Sequence, residues 1–214
     1  MYAQTEGSVA APTAGLHFTK EIFSSLKNKN IEYDFITLNV GAGTFKQKKK
    51  KNVNEHIMHW ENFSVRKEFL KKILTYTDKT KTAVATTSVR TLESLYWLGA
   101  LPEKVFAENF TLEQWEVYED RNNLPDAKTA IENLIRYLDI NKTETLEGRT
   151  SLMIVPGYEF KLTDAIITNF HLPASTLLLL VSAFTGNDWK NIYDYALKNE
   201  FRFLSYGDSS ILIR

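Results

Sequence analysis

An α/β fold, a layered sheet with flanking helices, is predicted by three features of this chain. Short apolar stretches of strand length alternate with longer amphipathic stretches of helical period. Several junctions carry residues that cap or stop a helix, among them Thr19, Thr87-Ser88, Pro125 and Gly186. The segment Ala165 to Phe184, AIITNFHLPASTLLLLVSAF, holds no Asp, Glu, Lys or Arg, yet it contains Asn169, His171, Pro173, Ser175 and Thr176. Buried polar groups cost a few kcal/mol unless they are paired, so each of these needs a reason. The segment reads as a buried strand (Ala165 to Thr168), a loop (Asn169 to Leu172) and a helix body (Leu177 to Phe184), with Pro173 in the first helical turn. In an open α/β sheet, such a loop at the carboxyl end of a strand is where ligands bind.

The elements follow in order. Gly7 to Phe18 is rich in small residues and reads as a loop. Thr19 caps a helix whose apolar face carries Phe18, Ile22, Phe23 and Leu26. Ile31 to Val40 alternates and reads as a strand that runs into Gly41-Ala42-Gly43-Thr44. Phe63 to Tyr76 places Val65, Phe69, Ile73 and Tyr76 in helical phase. Ala83 to Thr86 is a short strand, and Thr87-Ser88 open a helix that Gly99 stops. Pro102 to Asn123 is acidic and aromatic and has no clear element. Pro125 opens a helix with Ala127, Ile131, Leu134, Ile135 and Leu138 on one face. Ser151 to Val155 is a strand turned by Pro156-Gly157. Asn187 caps a helix through Leu197, and Phe201 to Leu204 and Ile211 to Ile213 read as strands.

Composition bounds the chain. Its 214 residues, 43% hydrophobic and 24% charged, suit one medium domain, or one and a half, with a real core. Lys+Arg and Asp+Glu are equal at 26 each, so global charge indicates no nucleic-acid partner; the local tract Lys46 to Lys51 reads as a solvated loop, with a grip on phosphates as the alternative. The absence of cysteine excludes disulfides and thiolate-bound zinc and is compatible with a cytoplasmic location. The apolar run before Phe184 is broken at Asn169 to Pro173, too early for a membrane span. No basic, apolar leader opens the sequence, which argues against a secretory signal.

Three groups carry chemistry. Thr86 to Ser94, TTSVRTLES, places hydroxyls, free N–H groups and Arg90 where a strand feeds a helix, a site for an anion or carboxylate; Thr87, Ser88, Arg90 and Thr91 are the candidates. Arg90 and Glu93 also have the spacing of an ion pair on one helix face, the alternative to a ligand role. His56-Ile57-Met58-His59-Trp60-Glu61 has two histidines sharing a face if helical. It lacks the H-E-x-x-H metalloprotease pattern, so proton transfer or structural hydrogen bonding is preferred to metal ligation and no metal is expected. Gly41 and Gly43 allow close backbone approach but fall short of a dinucleotide fingerprint.

Taken in order, the peptides GSVAAPTAGLHFT, TLNVGAGTF, HIMHWE, ATTSVRTLES, PGYEF, TNFHLPASTLLLLVSAF and FRFLSYGDSSILI resemble the S-adenosylmethionine:tRNA ribosyltransferase-isomerase family of queuosine biosynthesis. The resemblance runs from Gly7 to Ile213 and leaves Leu101 to Arg149 without a motif. It implies transfer and isomerisation of the ribosyl moiety of S-adenosylmethionine onto 7-aminomethyl-7-deazaguanine in a tRNA anticodon loop, with release of adenine and methionine. S-adenosylmethionine is then a consumed substrate and no cofactor is implied. The expected mechanism removes a proton beside the sulfonium. His17, His56, His59, Glu61 and His171 are the candidate acid–base residues. Asn169, Gly41 and Gly43 join the Thr87 to Glu93 group as candidate substrate contacts. The resemblance also implies that residues 1–214 form the α/β catalytic domain, the C-terminal portion of a longer enzyme, with the family's inserted β-barrel largely absent. An incomplete sheet leaves an edge and predicts self-association. The chain departs from the family pattern at Asn39, Trp60, Ala174 and Ser209-Ser210; Asn39 and the lysine tract favour the alternative of a noncatalytic RNA- or ligand-binding paralogue, and an inactive fragment is the other alternative.

Overall fold

The computed structural model describes residues 13–40, 53–106, 108–119 and 122–214. The expectations for Gly41, Gly43, the lysine tract and the first part of the Gly7 to Phe18 loop lie outside them. In chain order the elements are α1 Lys20–Asn28, β1 Thr37–Val40, β2 Glu61–Arg66, α2 Lys67–Thr75, β3 Thr82–Val84, α3 Thr86–Ala100, α4 Pro102–Phe106, β4 Thr111–Leu112, α5 Ala127–Ile140, β5 Thr145–Thr150, β6 Ala165–Asn169, α6 Thr176–Thr185, α7 Trp189–Lys198 and β7 Ser209–Ile213. A 3-10 turn, Thr13–His17, precedes α1.

The strands form two sheets with flanking helices. One has the order β1-β2-β5-β4, antiparallel except for the parallel β4–β5 pair. The other has the order β3-β6-β7. β3 runs parallel to β6, and β7 runs antiparallel to it. α3 joins them: its buried face packs against α5 and reaches both sheets. Leu95, Leu98, Ile131, Leu134, Leu138, Leu146 and Ile166 are sealed in one continuous core. Burying each such side chain contributes about 2 kcal/mol.

Several elements sit where their residues predict. Thr19 caps α1, its hydroxyl accepting from Ile22 N. Asp126, just after Pro125, caps α5 by accepting from Thr129 N. Ser175 caps α6 by accepting from Leu178 N, and Gly186 ends that helix at φ +60°.

Others differ. Phe63 to Tyr76 is not one helix. Glu61, Phe63 and Val65 are buried while Asn62 and Arg66 are exposed, a period of two, and β2 is paired on both sides by β1 and β5. Only Lys67 onward is helical. The His56 to Trp60 stretch is irregular, so its histidines share no helix face. The Ile31 strand shortens to Thr37–Val40. Residues 151–155 are irregular although largely buried, and the strand there is Thr145–Thr150. Residues 201–204 form no strand. Pro173 lies in a turn before α6 rather than inside it. Asn187 lies in a 3-10 turn, and Asp188 stands at the start of α7. Gly99 does not stop α3 but sits within it, where a Cβ would come 2.1 Å from Ala130 O: the residue is a contact point between α3 and α5. Ala85, not Thr87 or Ser88, occupies the N-cap position of α3, at φ +79°.

Candidate active site at the carboxyl ends of β3 and β6

The parallel pairing of β3 with β6 brings two chain segments to one edge. Ala85 N donates to Ile167 O at 2.9 Å, so the start of α3 lies beside the end of β6. Thr87 and Ser88 are half-buried there. Thr91 lies a turn further in, fully buried, and its hydroxyl donates back to Thr87 O.

At the end of β6, Asn169 is buried and fully engaged. Its Nδ2 donates to Leu204 O (3.0 Å) and Ser205 O (3.3 Å), and its Oδ1 faces His17 Nε2 at 3.0 Å. His17 thereby joins the strand end from 152 residues away. It borders a cleft of about 550 Å³ shared with Glu200, Arg202, Asp208 and Ser209. Arg202 Nη2 donates to Asp208 Oδ1 at 2.8 Å, and this hydrogen bond holds the Asp208 carboxyl below the usual range. His171 is also buried: its Nε2 meets Thr168 Oγ1 at 2.9 Å, and its backbone N donates to Tyr193 OH at 3.0 Å. Burial lowers its pKa to about 4, so the imidazole is neutral at pH 7.

The charged motif residues behind this edge are sealed. Arg90 pairs in a two-bond fork with Glu61 at the start of β2, not with Glu93 one turn along. This bond ties α3 to the four-stranded sheet. Glu93 is completely buried and accepts from Tyr158 OH (3.0 Å), Lys161 N (2.8 Å), Leu162 N (3.1 Å) and Thr163 N (2.9 Å). Burial pushes its carboxyl up, against the pull of these donors. Trp97 Nε1 donates to Tyr158 OH and closes the network. Glu93 therefore anchors the loop that leads into β6.

His56 and His59 lie on the irregular stretch that precedes β2. Gln114 pins their segment: its Nε2 donates to His56 O at 2.6 Å, and its Oε1 accepts from Met58 N at 2.9 Å. His59 is exposed. Among the described residues no group of three or more His, Cys, Asp or Glu is placed to hold a metal.

Thr168, Leu204, Ser205, Arg202 and Asp208 belong to the site without having been singled out as site residues. The signal was present, because all five lie in motif peptides; Tyr193 and Gln114 lie in stretches without one.

A family model described as queuosine biosynthesis protein matches residues 1–212. The chain belongs to that family. Within it, a protein of Thermotoga petrophila named S-adenosylmethionine:tRNA ribosyltransferase-isomerase is 40% identical over 216 residues, which are 100% of this chain and 52% of that protein. The protein of the same name from Rickettsia felis is 38% identical over 217 residues, 100% of this chain and 48% of that one. The crystal structure of S-adenosylmethionine tRNA ribosyltransferase from Thermotoga maritima is similar at a TM-score of 0.59 and 34% identity, over 94% of this chain and 51% of that one. This member of the family thus spans about half the length of the curated relatives it matches. No helix among its described residues is long and apolar enough to cross a membrane.

Proposed function

We propose that residues 1–214 form the α/β catalytic portion of an S-adenosylmethionine:tRNA ribosyltransferase-isomerase. In this reading the ribosyl moiety of S-adenosylmethionine passes to 7-aminomethyl-7-deazaguanine in a tRNA anticodon loop, giving epoxyqueuosine-tRNA, adenine and methionine. The observation that carries it is the family match across the chain, in relatives bearing that name. The meeting of three family peptides at one sheet edge, through His17, Asn169 and the carbonyls of Leu204 and Ser205, supports it.

The residues divide the work as follows. Thr87 and Ser88, at the start of α3, bind the methionine carboxylate or ribose hydroxyls. His171, held neutral by burial, accepts or relays a proton through Thr168. His17, hydrogen-bonded to Asn169, borders the cleft. His56 and His59 contribute from the approach to Glu61, and Gly41 and Gly43 allow backbone to come close to substrate. Arg90, Thr91 and Glu93 act by holding the frame, since their polar atoms are taken up inside the chain. S-adenosylmethionine is consumed, so no cofactor has to be regenerated. A cytoplasmic location belongs to the same reading.

The test is adenine release from S-adenosylmethionine in the presence of tRNA carrying the deazaguanine precursor. Release by this chain is expected; binding of both substrates without release would overturn the catalytic reading. The outer edge of the three-stranded sheet adds a second expectation. Among the described residues β7 has only β6 beside it, and it turns Ile211 and Ile213 to solvent. Pairing of this edge with a second copy at high concentration is expected, and a strictly monomeric sedimentation profile would count against it.

A further inference from the structure

The hydrogen bonds around Asn169 have only one consistent direction. Leu204 O and Ser205 O can only accept, so the amide nitrogen must face them. The flipped amide would set three acceptor oxygens against one another. The turn that presents these carbonyls is tightly built. Leu204 sits at φ +70° and donates its N–H to Phe170 O, and a Cβ at Gly207 would come 2.4 Å from Arg202 O. Asn169 Oδ1 is thereby left facing His17 Nε2, and it too can only accept. The proton of that bond sits on Nε2. A neutral imidazole carries one N–H, so the lone pair belongs to Nδ1.

We propose that Asn169 is a positioning residue that holds His17 in the Nε2–H tautomer, making Nδ1 the atom of His17 that accepts a proton from a ligand in the adjoining cleft. His171 has no such constraint, because its partner is the Thr168 hydroxyl, which both donates and accepts. The charges that share the cleft with His17 are Glu200, Arg202 and Asp208, the last two paired with each other. In the proposed reaction, the C–H bond beside the sulfonium breaks and an N–H bond forms at Nδ1. The electron pair stays on the carbon next to the positive sulfur. The imidazolium so formed keeps its Nε2–H on Asn169. This base role rests on the transferase-isomerase reading; the tautomer does not.

Long-range ¹H–¹⁵N NMR of the histidine side chains tests the proposal on the chain itself. At about pH 8, His17 is expected to show an N–H-type Nε2 and a lone-pair-type Nδ1. A His17→Gln sample identifies its signals by their loss. Asn169→Ala should populate both tautomers. A wild-type His17 protonated on Nδ1, or a natively folded Asn169→Ala protein with an unchanged single tautomer, would overturn the assignment. If Asn169→Ala does not fold, the wild-type spectrum alone still decides. Adenine release provides the separate arm. His17→Gln should lower it by roughly 10²-fold or more. Undiminished release would overturn the base role and leave the tautomer standing. No release by the wild type would overturn the base role together with the functional reading, again leaving the tautomer standing.

Discussion

Two polar clusters of this chain are built from the same kind of motif residue and end in opposite situations. Glu93, Arg90 and Glu61 are sealed, each satisfied by partners within the chain. His17 and Asn169 are also hydrogen-bonded, but one of them opens on a cleft. The difference teaches that a charged residue in a dense motif is not thereby a substrate contact. The number of internal donors it already serves, and whether solvent reaches it, separate an anchor from a reacting group. The two clusters sit at opposite ends of one strand, since Glu93 holds the loop entering β6 and Asn169 ends it.

The comparison can be broken by substitution. The largest effects belong to the sealed cluster. Glu93→Ala removes the acceptor of three backbone N–H groups and Tyr158, and Arg90→Ala leaves Glu61 as a buried unpaired charge. Each should cost about 3–5 kcal/mol in urea denaturation. A loss below about 1 kcal/mol would mean that the cluster is open to water and that the contrast is false.

His171 gives a pH-dependent effect. Its folded pKa of about 4 lies below the usual 6.5, so between these values the unfolded chain binds the extra proton. Its contribution is complete above pH 6.5 and is lost as the pH falls toward 4, by roughly 3 kcal/mol. His171→Gln should flatten the stability profile in this window relative to wild type. Parallel profiles for the two proteins would place His171 in water.

Smaller effects sharpen the picture. Ala85 stands at φ +79° at the turn that joins β3 to α3. Ala85→Gly should raise stability by about 1 kcal/mol in thermal melts by relieving that backbone; a drop would show that the methyl contact matters more than the strain. His17→Ala, at the open end, should change stability by no more than about 1 kcal/mol while abolishing most adenine release. A large destabilisation there would make His17 another anchor.

Much of the fold was legible in local sequence. The strand, loop and helix of 165–185 follow from a charge-free run broken by polar residues and closed by a glycine. The cap at Thr19 follows from side-chain chemistry that acts within a turn, and Pro125 marked the start of α5, although the cap itself is Asp126. The stretch from Glu61 was ambiguous for a physical reason. Phe63 and Val65 belong to a period of two, but Val65 with Phe69 and Ile73 also extends a helical phase, and only pairing with β1 and β5 chooses between the two. Arg90 and Glu93 had the spacing of a helix pair, but each found a partner in a distant segment instead.

The sequence by itself determined the α/β class, the ends of its best-capped helices and the family, because these depend on periodicity, capping and ordered motifs. Tertiary structure alone decided which polar residues are anchors and which face a cleft. The partners of Arg90 and Glu93 lie 29 and more than 60 residues away, and that of His17 lies 152 away. A hydrogen bond acts within about 3 Å, and no local pattern encodes which distant groups the packing of two sheets will bring to that distance.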